Sequence, residues 1–183
     1  EYYGRKVNFK SKYTDKGNFC EPDSIGYAAR YYGWGRVSKN EEQRENDYLI
    51  GTCDIVLDKS IEDLKNCWSQ KTFPLFDTEI PIDGYGYQLQ GYMELWDKPQ
   101  GGLVYTLMDA PDFMVEREAW QRARNLGMEE LEAELFDEVK AEMTYSGFRD
   151  ELRIKRFFID RDKSVMVAVQ DRVELIRNYI ASI

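Results

Sequence analysis

The sequence predicts an α/β domain, a central mixed β-sheet flanked by helices. Three observations carry that reading. Apolar and β-branched runs at 49–57, 102–108 and 152–159 have the length and composition of strands. Segments with apolar residues at helical spacing lie between and after them. The chain has 183 residues, 43% of them hydrophobic, which suffices for one core and is too short for two ordinary domains. No internal repeat, low-complexity tract or linker divides it, so residues 1–183 are expected to form a single domain.

The elements follow in order. The first 16 residues show no clear period, and Gly17-Asn18 punctuates the chain. Pro22 suits a first helical position and Asp23 complements the helix dipole, so a helix is expected from about Pro22 to Tyr32, closed by Gly33 and Gly35. Residues 39–47 are charged and polar and read as a loop. Leu49 to Leu57 and Ile61 to Lys65, separated by Asp58-Lys59, read as a β-hairpin. Tyr85 to Trp96 reads as a helix ending before Pro99, and Gly102 to Met108 as a strand. Asp112–Asn125 and Met128–Met143, broken at Gly127, form a helical hairpin that suits either a subunit contact or a lid. Leu152 to Ile159 is a strand. Lys163 to Ile180 is an amphipathic helix through Val165, Val169, Val173, Ile176 and Ile180.

Composition narrows the chemistry. Histidine is absent, which excludes Ser-His and Cys-His nucleophiles and His-ligated zinc. Cys20, Cys53 and Cys67 lack metal-binding spacing and read as packing residues. A net charge of −9 opposes whole-surface attraction to phosphate and leaves room only for a confined basic groove. No window approaches the roughly 18 consecutive apolar residues of a membrane span, and no signal-peptide pattern is present. The expectation is a soluble, cytoplasmic protein with no membrane partner, in the host cytoplasm if viral. The chain starts at Glu1 and not at methionine, so an upstream segment is expected.

The hairpin is the informative spot. With Asp58-Lys59 as its turn, Val56 faces Ile61, Ile55 faces Glu62 and Asp54 falls opposite Asp63. Lys65 lies two positions beyond Asp63 and shares its face. Two carboxylates across a ladder repel, so the pair calls for a cation, either Lys65 or a metal. A salt-bridge cluster on a solvent-facing hairpin is the plain alternative. The apolar residues Cys53, Ile55, Val56, Leu57, Ile61 and Leu64 on both faces favour a covered sheet with the acids in a cleft. Oxygen ligands of this kind suit Mg²⁺ or Mn²⁺, and phosphodiester hydrolysis is the chemistry such a site performs. The loop after Lys65 offers donors and a stacking surface in Asn66, Trp68, Ser69, Gln70, Lys71 and Thr72. Arg30, Lys39, Arg44, Arg153, Lys155 and Arg156 are candidates for a basic track.

Gly51, Asp54, Asp63 and Lys65, in GTCDIVLDKSIEDLK, resemble the G-x-x-D and D-x-K core of the PD-(D/E)XK nuclease superfamily. Gln88 and Tyr92, in YQLQGY, fit the Q-x-x-x-Y motif of its RecB-like branch, and at i and i+4 they share a helix face. KGNFCEPDSIGYAARYYG is similar to the G-x-x-x-E-P segment of the phage recombination exonucleases, the lambda-exonuclease and YqaJ-like group.

The resemblance spans about 17–108, reaches 151–183 more loosely and leaves 111–147 as an unaligned helical insertion. Cys53 stands where the superfamily name has proline, and the cysteines of a Cas4-like iron-sulfur cluster are missing. The resemblance implies a restriction-endonuclease-like core and a metal-dependent exonuclease acting on duplex DNA ends. Asp54, Asp63, Lys65, Gln88 and Tyr92 would be catalytic. Glu21, Asp54, Asp63 and the Leu64 backbone carbonyl would hold Mg²⁺ or Mn²⁺, and Asn66, Trp68, Ser69, Lys71, Gln88 and Tyr92 would meet DNA. It further implies a homo-oligomer and a single-strand annealing protein as partner. An endonuclease on the same core, or an inactive nuclease fold that binds DNA or a protein, are the alternatives.

Overall fold

Ser11 opens the first helix by a reciprocal cap. Its hydroxyl accepts the Thr14 N–H at 3.2 Å, and the Thr14 hydroxyl accepts the Ser11 N–H at 3.0 Å. In this computed structural model, which describes residues 11–183, helix α1 runs Lys12–Tyr32 and ends at Gly33 in the left-handed conformation. The helix therefore starts ten residues earlier than the sequence suggests. Gly17-Asn18 do not break it, and Pro22 sits inside, forfeiting one backbone bond. The buried side of α1 decides the matter: Lys16, Cys20, Ser24, Ile25, Ala28 and Ala29 line one face, and tertiary packing overrides local punctuation. The reading of the first ten residues lies outside the described ones.

The sheet has four strands in the order β3-β4-β5-β6: Ile55–Val56, Ser60–Asn66, Gln100–Thr106 and Ile154–Asp160. The β4–β5 pair is parallel and the outer pairs are antiparallel, so the sheet is mixed as expected. Helix α2, Asp83–Trp96, makes the crossover between the parallel strands. The 49–57 run is not one strand. Ile50–Gly51 (β2) pairs with Arg44–Glu45 (β1), a segment expected to be loop, and Ile55–Val56 joins the main sheet after a break at Cys53-Asp54.

The two sheet faces carry separate cores. Ile55, Leu64, Val104 and Ile154 pack under Ile25, Tyr27 and Ala28 of α1. Ile61, Leu103, Tyr105 and Phe157 pack under Leu89, Met93 and Trp96 of α2. Helices α3 (Asp112–Asn125) and α4 (Ala133–Glu142) form the expected hairpin, closed on Val115, Ala119, Val139 and Met143. The three cysteines are buried free thiols. Helix α5, Lys163–Ala181, lies against α2, but of its residues only Met166 is buried, and Ile176 and Ile180 of the expected apolar stripe are exposed. Among the described residues no helix is long and apolar enough to cross a membrane.

One buried pair crosses the α1 side of the sheet. Glu62, 0% exposed, takes two hydrogen bonds from Arg156 and one from Ser60 at 2.7 Å. Gly102 lies between the partners, and a β-carbon there would land on the Glu62 carboxylate. Arg156 in turn stacks against Trp34 and Phe158.

Candidate active site

Strand periodicity puts Asp63 and Lys65 on the α2 face of β4, two residues apart. Lys65 Nζ lies 2.5 Å from Asp63 Oδ2, with the side chains 25% and 5% exposed. That oxygen is nevertheless buried with no aligned hydrogen bond. Burial pushes the Asp63 carboxyl above its ordinary range, against the pull of Lys65. Burial opposes charge on Lys65 too, but the Asp63 carboxylate outweighs it and leaves the ammonium pKa raised. The Asp63 carboxylate thus favours the ammonium form of Lys65.

Asp54 reaches the site from the strand break. The hairpin register is the expected one, Ile55 with Glu62 and Val56 with Ile61, but the ladder stops there. Asp54 is not a ladder partner of Asp63. Its backbone carbonyl takes the N–H of Asn40, while its Oδ2 accepts the N–H of Leu64 at 2.6 Å. Burial first and the Asp63 charge second raise its pKa to about 6, and the Leu64 N–H holds it lower than it would otherwise be. A residue in a strand turns its N–H and C=O to the same edge, so the Leu64 carbonyl leaves β4 on the Asp54 side.

Helix α2 brings the amide and phenol. Gln88 Nε2 donates to the Tyr92 hydroxyl at 2.8 Å, and Gln88 Oε1 lies 3.5 Å from Lys65 Nζ. The Tyr85 ring lies beneath the ammonium, 4.7 Å from Nζ to centroid. Gly51 has a spatial reason: a β-carbon there would sit 2.7 Å from Tyr92 Cε1. The G-x-x-D glycine thus lets the Q-x-x-x-Y tyrosine approach.

Glu21 faces this region from α1 and adds to the negative field on Asp54 and Asp63, but its carboxylate is paired with Lys39. Among the described residues, no three acid or thiol side chains gather closely enough to hold an ion unaided. Two carboxylates and a carbonyl remain. That set matches Mg²⁺-type binding, in which one or two carboxylates are completed by substrate phosphate and water. The buried Asp63 carboxylate and the repulsion between it and Asp54, with Lys65 already against it, fit such a cation.

The loop after β4 is presented unevenly. Asn66 Oδ1 accepts from Ser24 and Thr106, each at 2.9 Å, so this oxygen is spent on the interior. Trp68 packs edge-on against Tyr13, beneath Lys12, and against the α3–α4 core. Both are half-buried, and both still line a cleft beside Lys65. Ser69 heads a 3-10 turn, Gln70–Thr72, and Lys71 on that turn is exposed. The basic track is also dispersed: Lys39, Arg44 and Arg156 pair with Glu21, Glu42 and Glu62. A cleft of about 450 Å³ beside Lys65 is lined by Tyr13, Glu21, Leu64, Trp68, Ile82 and Tyr85. Sequence reasoning passed over Tyr85, whose place three residues before Gln88, one helical turn away, was the available signal.

No family model matches the chain, and no curated protein matches it in sequence. Solved structures do. A phage-related exonuclease from Haemophilus somnus 129PT is 27% identical, with a TM-score of 0.74 over 97% of this chain and 74% of that one. An alkaline exonuclease, LHK-Exo, from Laribacter hongkongensis is 12% identical, with a TM-score of 0.63 over 96% of this chain and 72% of that one. The same enzyme in complex with dAMP gives 12% and 0.65 over 99% and 74%.

Proposed function

The chain carries the lambda-exonuclease-type nuclease fold of a phage-related exonuclease, and from that premise we propose that it is a metal-dependent exonuclease hydrolysing phosphodiester bonds at duplex DNA ends. The observation that supports the chemistry most directly is the half-buried Asp54 beside the buried Asp63, whose Oδ2 meets the Lys65 ammonium at 2.5 Å. Asp54, Asp63 and the Leu64 carbonyl would hold Mg²⁺ or Mn²⁺, which when bound neutralises the phosphate and acidifies a water.

The chain's own residues do the rest. Water adds to phosphorus and gives up a proton to solvent, the P–O3′ bond breaks, and its electron pair leaves on the 3′ oxygen, which takes a proton from solvent. Lys65, kept protonated by Asp63, faces the negative charge that grows on the phosphoryl oxygens. The Gln88–Tyr92 pair and the Tyr85 ring hold that ammonium in place. Phage-type recombination with a single-strand annealing protein, in an oligomer, is the setting we propose for this activity.

The test is a panel of end-labelled linear, nicked and closed circular DNA, incubated with Mg²⁺, with Mn²⁺ and with chelator. Metal-dependent release of nucleotides from linear duplex alone supports the reading. Opening of the closed circle shows an endonuclease instead. Retention of uncut duplex at every metal concentration shows a binding module.

A further inference from the structure

Two lysines outside the proposed machinery hold the same loop from opposite ends. Lys16, on α1, is 0% exposed, and its Nζ donates to the Cys67 and Trp68 carbonyls at 3.0 and 3.1 Å over the ring of Tyr145. Lys155, on β6, donates to the carbonyls of Pro74 at 2.8 Å, Leu75 at 2.9 Å and Asp77. Five backbone acceptors between 67 and 77 are thus satisfied by two side chains. Neither ammonium has a carboxylate within salt-bridge distance among the described residues. Burying Lys16 so is a costly way to pack a helix; burial outweighs the opposing pull of Cys20, Cys67 and Asp109 and lowers its pKa to about 8.

The sheet register locates this loop. Lys65, Tyr105 and Lys155 are successive cross-strand partners on β4, β5 and β6, so their side chains share the α2 face in one row. Two inter-strand steps place the Lys155 backbone about 10 Å from that of Lys65. The loop begins at the end of the strand bearing Asp63 and Lys65 and is tied down again at the far end of that row. Between the ties, Gln70, Lys71 and Thr72 stand exposed on their 3-10 turn, pinned by buried Phe73. Lys71 also has no salt-bridge partner among the described residues and is the exposed ammonium of this turn, while Asp77 carries the opposite charge at the far end of the loop.

We propose that Lys16 and Lys155 are positioning residues that hold residues 67–77 as a preformed lip, whose exposed Gln70–Thr72 turn with the Lys71 ammonium takes the phosphodiester backbone of the duplex adjoining the cut. The lip rests on the nuclease reading. Its ordering is completed on folding, so DNA meets a rigid surface and binding does not have to order the loop.

The experiment compares Lys16→Met, Lys155→Met and Lys155→Arg with the wild type and with Asp54→Asn. It reads binding of a fluorescein-labelled duplex by anisotropy in chelator, amide hydrogen exchange over 67–77, and KM and kcat on that duplex with Mg²⁺. Each methionine variant should weaken duplex binding by roughly tenfold, raise KM more than it lowers kcat and speed exchange in the lip. Lys155→Arg, which still donates to carbonyls, should restore most of the affinity. Asp54→Asn should lose cleavage while its lip exchange stays at the wild-type rate. If Lys16→Met fails to fold, the partly exposed Lys155 carries the test alone. Wild-type affinity in Lys155→Met, or faster exchange without weaker binding, overturns the lip and leaves the acidic site standing. A wild type that neither binds nor cuts duplex overturns the nuclease reading and the lip with it.

Discussion

Asp54 holds the backbone of the strand that carries its partner acid: its Oδ2 accepts the Leu64 N–H at 2.6 Å, one residue past Asp63. A carboxylate that simply faced Asp63 across the ladder would repel it at close range. Displaced by one residue, it instead satisfies an edge donor, and both acids can remain near one point. The arrangement still costs stability, because burial and the neighbouring charge lift Asp54 to about 6.

That cost has a pH signature. A carboxyl whose pKa rises from 3.8 to about 6 on folding binds more protons folded than unfolded, so stability falls as pH climbs through that window. Asp54→Asn should therefore raise the melting temperature above pH 6 in chelator, by about 2–4 °C for each kcal/mol relieved. It should also abolish cleavage. Melting curves at pH 4 and pH 8 check the sign: the difference from wild type should be present at pH 8 and nearly vanish at pH 4.

Added Mg²⁺ or Mn²⁺ should raise the melting temperature of the wild type in proportion to occupancy and should leave Asp54→Asn almost unmoved. Calorimetry with the ion alone reads this without any DNA. Equal shifts in the two proteins would place the ion elsewhere.

Lys65→Ala should lower kcat by roughly a hundredfold or more, since the cation faces charge that develops only in the transition state. Because the same ammonium compensates buried Asp63, Lys65→Ala should also push the Asp63 pKa further up. Activity that persists undiminished would remove Lys65 from the mechanism.

Gly51→Ala puts a β-carbon 2.7 Å from the Tyr92 ring. The ring or the β2 strand must move, at about 1–3 kcal/mol for overpacking. Gln88 then loses its phenolic partner, so kcat should drop as well. Tyr92→Phe separates the two effects: the ring stays and only the hydroxyl is lost, so kcat should fall with little change in melting temperature.

Arg156→Met should destabilise the fold by about 3–5 kcal/mol, because it strands the fully buried Glu62 carboxylate. Combining it with Glu62→Gln should recover much of that loss. Additive losses in the double variant would show that the two side chains act independently.

The parts of the site that were legible in the sequence are those encoded at short range. Asp63 and Lys65 share a face because strands repeat every two residues, and Gln88 and Tyr92 meet because helices bring i and i+4 together. The hairpin register followed from its two-residue turn. The packing partners of Asn66 and Trp68 were not legible, for the opposite reason: Ser24 and Thr106 for the one, and Tyr13 with the α3–α4 core for the other, come from distant segments.

By itself, then, the sequence determined the α/β class, the absence of imidazole chemistry and the pairing of acids with an amine near the hairpin. It determined these because residue type and local period are properties of adjacent residues. The tertiary structure alone decided that α1 continues through Gly17 and Pro22, that Glu21 is held by Lys39, and that Lys16 and Lys155 bind one loop from two sides. Those outcomes depend on packing between segments 18 to 81 residues apart, where burial and unmet hydrogen bonds outweigh local preference.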